Sequence, residues 1–167
     1  ITGGDVTDGS ANVWILDLAS QSWSSVSNIA SQSLTAGQGF LIYVFEDVDY
    51  DGSSDLPVDL YVSGAHNTGN VSIGSIPQNS YYLAGNPYIK TIDWDDVSKT
   101  NLSLVVSVWD DATSSWKTYN GSSGDLSNGL ISPFQGFWVQ AIGGVGSFTR
   151  QSDDIATSAG SFLCLLY

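Results

Sequence analysis

The chain has 167 residues, 42% hydrophobic and 12% aromatic, which is enough for a packed core and too apolar for a disordered tail. Seventeen acidic residues face four basic ones (Lys90, Lys99, Lys117, Arg150), and a formal charge of −13 with no basic stripe excludes nucleic acid as a partner. One cysteine, Cys164, and one histidine, His66, exclude an internal disulfide, a thiolate metal cluster and a histidine-based zinc site.

No apolar run approaches the length of a membrane span, so no membrane insertion is expected. The chain has no Met, not even at position 1, and is expected to be a mature or excised piece of a longer protein. A Gly/Ser/Asn/Thr-rich, Lys-poor composition without disulfides is associated with bacterial secreted surface proteins. The expected location is therefore extracellular or on the cell surface.

Strand signals dominate along the chain. Asn12–Leu18 and Trp23–Val26 are β-prone runs across Ala19-Ser20-Gln21-Ser22, a predicted hairpin. Phe40–Glu46 is an apolar run without alternation, as expected of a buried strand. Leu60–Ser63, Val71–Ile76 and Tyr81–Ala84 are further short strands between Gly, Asn and Pro punctuation. Ile92–Lys99 offers one short helical turn. Leu104–Trp109 and Trp116–Tyr119 flank the turn Asp110–Ser115 as a second hairpin, in which Asp opens the turn by accepting from nearby backbone N–H groups. Gly136–Ala141 is a buried strand, and Ser161–Tyr167 a closing one.

One motif occurs twice. Val13-Trp14 leads to Asp17, Trp23 and Gly37-Gln38-Gly39-Phe40-Leu41-Ile42-Tyr43; Val108-Trp109 leads to Asp111, Trp116 and Phe134-Gln135-Gly136-Phe137-Trp138-Val139-Gln140. The offset is 95 at the valines and 97 at the glutamines, the signature of a duplicated unit with a small insertion. A propeller needs about four blades or more at a shorter period. Strands spaced by about 8–12 residues with turn signals favour a sandwich. The expected fold is an all-β antiparallel β-sandwich, jelly-roll-like, of two pseudo-symmetric repeats. Residues 1–70 form the first repeat, truncated at its start, and 71–167 the second, sharing one core.

Gly39 and Gly136 stand where a loop enters a buried strand, a position needing positive φ or close backbone approach. Gln38 and Gln135 are then expected to bond loop backbone groups through both ends of the amide.

The sharpest ion signal is Asp47-Val48-Asp49-Tyr50-Asp51-Gly52-Ser53-Ser54-Asp55. Carboxylates at i, i+2, i+4 and i+8 with Gly at i+5 match the start of an EF-hand-type loop, and hard oxygens at this density suit Ca²⁺. Val58 stands where a bidentate Glu belongs, so Asp59 or Glu46 would have to substitute. The same run also reads as a solvated acidic hairpin. Asp93, Asp95 and Asp96 with Asn86 read as turn and cap residues, as does Asp110-Asp111.

No nucleophile elbow, H-E-x-x-H or Cys/His pair occurs, and the usual acid–base repertoire is nearly empty, so the chain reads as a non-enzyme. Its remaining resource is aromatic. Trp14, Trp109 and Trp138 lie within apolar strands and are expected in the core. Trp23 and Trp116 follow polar turns and Trp94 lies between aspartates, so these three are the candidate ligand-binding residues. Flat rings beside Asn, Asp and Gln suit sugar rings; the competing reading is that these Trp pin hairpins onto the sandwich.

Tyr82-Leu83-Ala84-Gly85-Asn86-Pro87-Tyr88, then Ile92-Asp93-Trp94, Val108-Trp109-Asp110 and Ile131-Ser132-Pro133-Phe134-Gln135-Gly136-Phe137-Trp138-Val139, resembles the "GNPYP…IDW…VWD…PFQGFWV" pattern. That pattern belongs to large secreted proteins of Bacteroidetes-like bacteria, often ahead of a C-terminal type IX sorting domain. The resemblance implies a β-rich module of a secreted or cell-surface multidomain protein. Ile89 stands where the pattern has its second proline, and no sorting-domain pattern is recognisable after Ala141.

Two functions follow as expectations. The first is a carbohydrate-binding or adhesive module with a polysaccharide partner. The second is a structural spacer or self-assembling surface subunit, associating through the apolar Ser161–Tyr167 strand.

Overall fold

A computed structural model describes residues 11–26, 33–47, 49–56, 65–161 and 163 of the chain. The fold is all-β. The strands among these residues are β1 (Val13–Asp17), β2 (Ser22–Ser25), β3 (Leu41–Ile42), β4 (Val71–Ile76), β5 (Tyr81–Gly85), β6 (Ile92–Asp93), β7 (Ser98–Thr100), β8 (Val106–Asp110), β9 (Ser115–Tyr119), β10 (Leu130–Ile131), β11 (Gly136–Gln140) and β12 (Gly146–Arg150). They pair antiparallel in sheets of order β2-β1-β3, β10-β6, β5-β11-β8-β9 and β4-β12-β7.

The four-stranded and three-stranded sheets face each other across the core. Period-two alternation sends Val106 and Val108 of β8, Phe137 and Val139 of β11, and Phe148 of β12 inward. Phe148 meets Tyr82 edge-to-face at 6.5 Å and Phe137 in a tilted contact at 6.4 Å, so the two sheets touch through aromatics. Such rings each remove well over 100 Å² from water, which makes them the main apolar term in a core of this size.

Asn86 closes one end of this sandwich. Its amide nitrogen donates to the carbonyls of Lys90 (2.9 Å), Ile131 (3.1 Å) and Ser132 (3.0 Å), and its oxygen accepts from the Tyr88 N–H at 3.0 Å. The side chain is buried, so these partners replace the water it loses.

The two hairpins share one turn chemistry. Asp17 pairs with Ser22 and Asp110 with Ser115, so the two turns correspond at an offset of 93 residues (17 to 110), two fewer than at the valines. Asp17 accepts from the Ser20 hydroxyl and Asp110 from the Thr113 hydroxyl, and each hydroxyl also meets a serine, Ser22 or Ser115. Gln21 and Ser114 then take left-handed φ of 53° and 47° at the same turn position. In both copies the strand before the turn also pairs with the strand following the Gln-Gly: β1 with β3, and β8 with β11. Before each Gln-Gly, Gln38 N–H donates to Thr35 O and Gln135 N–H to Ser132 O.

Several sequence expectations change. Ile92–Lys99 holds no helix: β6 and β7 flank a turn in which the Asp93 carboxylate accepts from the Asp95 N–H at 3.0 Å, drawing the chain out of helical geometry. Only Leu41–Ile42 of Phe40–Glu46 is strand, because β1 pairing ends there and the chain turns into the aspartate loop. β12 has no counterpart in the sequence reading, although it is the central strand of its sheet. Leu60–Ser63 and most of Ser161–Tyr167 lie outside the described residues. Leu163 packs against the core, and its N–H donates to Gln135 Oε1 at 2.7 Å.

Candidate functional site

The outer face of the four-stranded sheet carries the exposed aromatics. Trp109 of β8 lies directly across from Trp116 of β9, and Trp138 of β11 across from Ser107, two residues before Trp109. Antiparallel partners share a face, so three tryptophans stand on the side away from the core. Trp23 of β2 then lays its ring edge-to-face on Trp138, centroids 5.9 Å apart. Trp109 and Trp116 form a second such pair at 5.3 Å. Trp116 is 49% exposed and Trp23 39%, so each pair presents one open ring held by a half-buried one. The Trp109 indole N–H is buried without a partner among the described residues.

Trp23 and Trp116 are exposed, as their polar turns suggest. Trp94 is not. It is 0% exposed, packed between Phe137 (5.8 Å) and Phe148 (5.9 Å), with its N–H donating to Leu104 O at 2.9 Å. The flanking aspartates are exposed or half-buried while the indole turns into the core, so Trp94 is not open to a ligand. Trp109 and Trp138, expected in the core, instead join the outer face. The alternation of Trp138 with buried Phe137 and Val139 carried that signal.

Little positive charge stands near this face. Lys99 donates to the carbonyls of Trp94 and Val97 and lies 4.6 Å from the Trp94 ring centre; burial lowers its pKa. Lys117 pairs with Asp110 at 3.7 Å. Arg150 is wholly buried, donating to Gly85 O beside the rings of Phe137 and Phe148, and burial lowers its pKa to about 10.

The aspartate loop brings three of its four candidate ligands together. One carboxylate oxygen from each of Asp47, Asp49 and Asp55 lies within 4.8 Å of the others. Asp51 N–H donates to Asp47 Oδ1 (3.2 Å) and Gly52 N–H to Asp47 Oδ2 (2.9 Å), while Gly52 takes φ 85° to make the turn. Asp51 is outside the cluster, because its carboxylate accepts from the Ser53 N–H at 2.7 Å. Val58 and Asp59 lie outside the described residues.

A cleft of about 560 Å³ opens between the β1–β2 hairpin and the β4 edge. Asp17 lines it; hydrogen bonds from Ser20 hold this carboxyl below the usual carboxylate range. Gln38 lines it too, and here the two glutamines differ. Gln135 uses both amide ends, donating to Gly136 O and accepting from Leu163 N–H. Gln38 accepts from Thr35 N–H at 3.3 Å, and its amide nitrogen has no partner among the described residues.

No family model matches the chain, and no curated protein or solved structure matches it.

Proposed function

We propose that this chain is a non-catalytic carbohydrate-binding module of a secreted or cell-surface protein. The reading rests on the two edge-to-face tryptophan pairs, Trp23–Trp138 and Trp109–Trp116, on one outer sheet face. A perpendicular neighbour fixes each exposed ring, so little rotamer freedom is lost when a sugar stacks on it. Stacking plus hydrogen bonding needs no cation, and three of the four basic side chains are engaged inside the molecule. Neutral polysaccharide therefore fits this surface better than a sulfated or uronic one.

Retention on insoluble neutral polysaccharides, read by pull-down and a soluble glycan array, tests this. Trp116→Ala and Trp23→Ala should each weaken retention by about tenfold or more, with no sugar released as product. Retention that survives both substitutions, or is absent from the start, leaves a structural spacer in its place.

A further inference from the structure

The cleft beside the β1–β2 hairpin is a second site, independent of the tryptophan face. Its polar lining includes Asp17, Ser24, Ser25, Thr35, Gln38 and Ser72, the last hydrogen-bonded to Thr149. Its apolar floor includes Ile15, Ile73 and Tyr82, with Ile73 and Tyr82 buried. Among the described residues no Lys or Arg lines it, so nothing in that lining would neutralise an acidic ligand.

Its polar groups are open in a specific pattern. Both Ser20 hydrogen bonds to Asp17 fall on Oδ1, at 2.7 Å each. The hydroxyls of Ser24 and Thr35 and the Gln38 amide nitrogen have no hydrogen-bond partner among the described residues. The cleft thus offers a fixed carboxylate acceptor, an amide donor and rotatable hydroxyls over an apolar floor. About 560 Å³ lies within the size range of small-ligand sites. A pyranose has that mixture: an apolar C–H face, a rim of hydroxyls that donate and accept, and no charge.

We infer that this cleft binds a single neutral pyranose residue, its hydroxyls bridging Asp17 and the Gln38 amide while its C–H face lies toward Ile15 and Ile73. The Gln38 amide marks the difference between the two copies of the motif. The corresponding Gln135 amide is bonded within the fold at both its nitrogen and its oxygen.

Backbone amide shifts of the intact chain during titration with methyl α-glucoside, methyl β-galactoside, glucuronate and glucosamine test the site. At least one neutral glycoside should give saturable shifts at Ser24, Ser25, Ser72 and Gly74. Gln38→Ala and Asp17→Asn should each weaken that binding about tenfold, the scale of a lost charged or amide hydrogen bond. Trp116→Ala should leave it unchanged, which separates this site from the tryptophan face and lets either one fail alone. Asp17→Asn keeps an acceptor for Ser20, so the hairpin survives. The inference falls if no saturable shift appears at these amides with either neutral glycoside. It falls equally if only glucosamine produces one, since the cleft would then be a cation site.

Discussion

The side-chain amide of Gln21 pairs with the backbone of Tyr81 as a neighbouring strand would, accepting from its N–H at 2.7 Å and donating to its C=O at 3.1 Å. A turn residue of the first hairpin thereby covers the edge of β5, sixty positions away. Gly39 N–H donating to Leu83 O and Gly85 N–H to Gly37 O continue the cover along the same edge. The Gln21 amide also donates to Leu18 O at 3.0 Å, so Gln21→Ala loses three hydrogen bonds at an exposed site and should cost about 1–2 kcal/mol in urea unfolding. Gln21→Gly should cost less, because glycine relieves the left-handed φ of 53°. Equal losses would place the whole effect in the amide.

Asn86 gives the largest expected single-residue effect. Asn86→Asp turns a donor toward three carbonyls into a buried carboxylate, and should destabilise by about 3 kcal/mol or more at neutral pH. The native environment raises the pKa of that new carboxyl, so the deficit should shrink as pH falls and the protonated group donates again. Chemical denaturation of both proteins at pH 7 and pH 4 reads this out. A deficit independent of pH would contradict the account.

Calcium should stabilise the chain through Asp47, Asp49 and Asp55. Three carboxylates this close repel one another, and a divalent cation bound to the native state adds stability by mass action, about 2.7 kcal/mol at a hundred times Kd. Millimolar Ca²⁺ should raise Tm beyond NaCl of matched ionic strength, and Asp49→Ala should abolish the difference. Asp51→Ala should keep most of it, since that carboxylate serves the Ser53 N–H. Identical melts with Ca²⁺ and chelator remove the metal.

Tyr119 sets an alkaline signature. Its hydroxyl donates to Asp95 at 2.6 Å, and this bond, then burial, raises its pKa to about 12. A phenol raised above its unfolded value of 10 contributes stability that is complete below pH 10 and is lost between pH 10 and about 12. The stability difference between wild type and Tyr119→Phe should therefore stay constant to pH 10 and then close. A difference that widened with pH would reverse the assignment.

Strands built on alternation were legible before the structure. Val71–Ile76 matches to the residue, and both hairpins lie within two residues of their expected bounds. β12 was not, because Gly-Ser-Phe-Thr-Arg hides an inward Arg150 that reads as a surface charge until Phe137, Phe148 and the Gly85 carbonyl surround it. Trp94 failed for a related reason. Polar sequence neighbours report where the backbone runs, whereas the indole follows the tertiary cavity and the Leu104 carbonyl it reaches. The shared turn chemistry at Asp17 and Asp110, with left-handed φ at Gln21 and Ser114, was not legible, because it depends on backbone dihedrals that the residue names do not fix.

Gly37 lies against the Arg150 guanidinium and the Val71 side chain with no room for a Cβ, whereas the equivalent Phe134 takes φ 60° with its ring in solvent. Two hairpins of near-identical turn chemistry in one chain could trade partners during folding and become trapped in a swapped assembly. A phenylalanine-bearing loop seated there would drive its Cβ into the Arg150 guanidinium, so the swapped arrangement is sterically disfavoured.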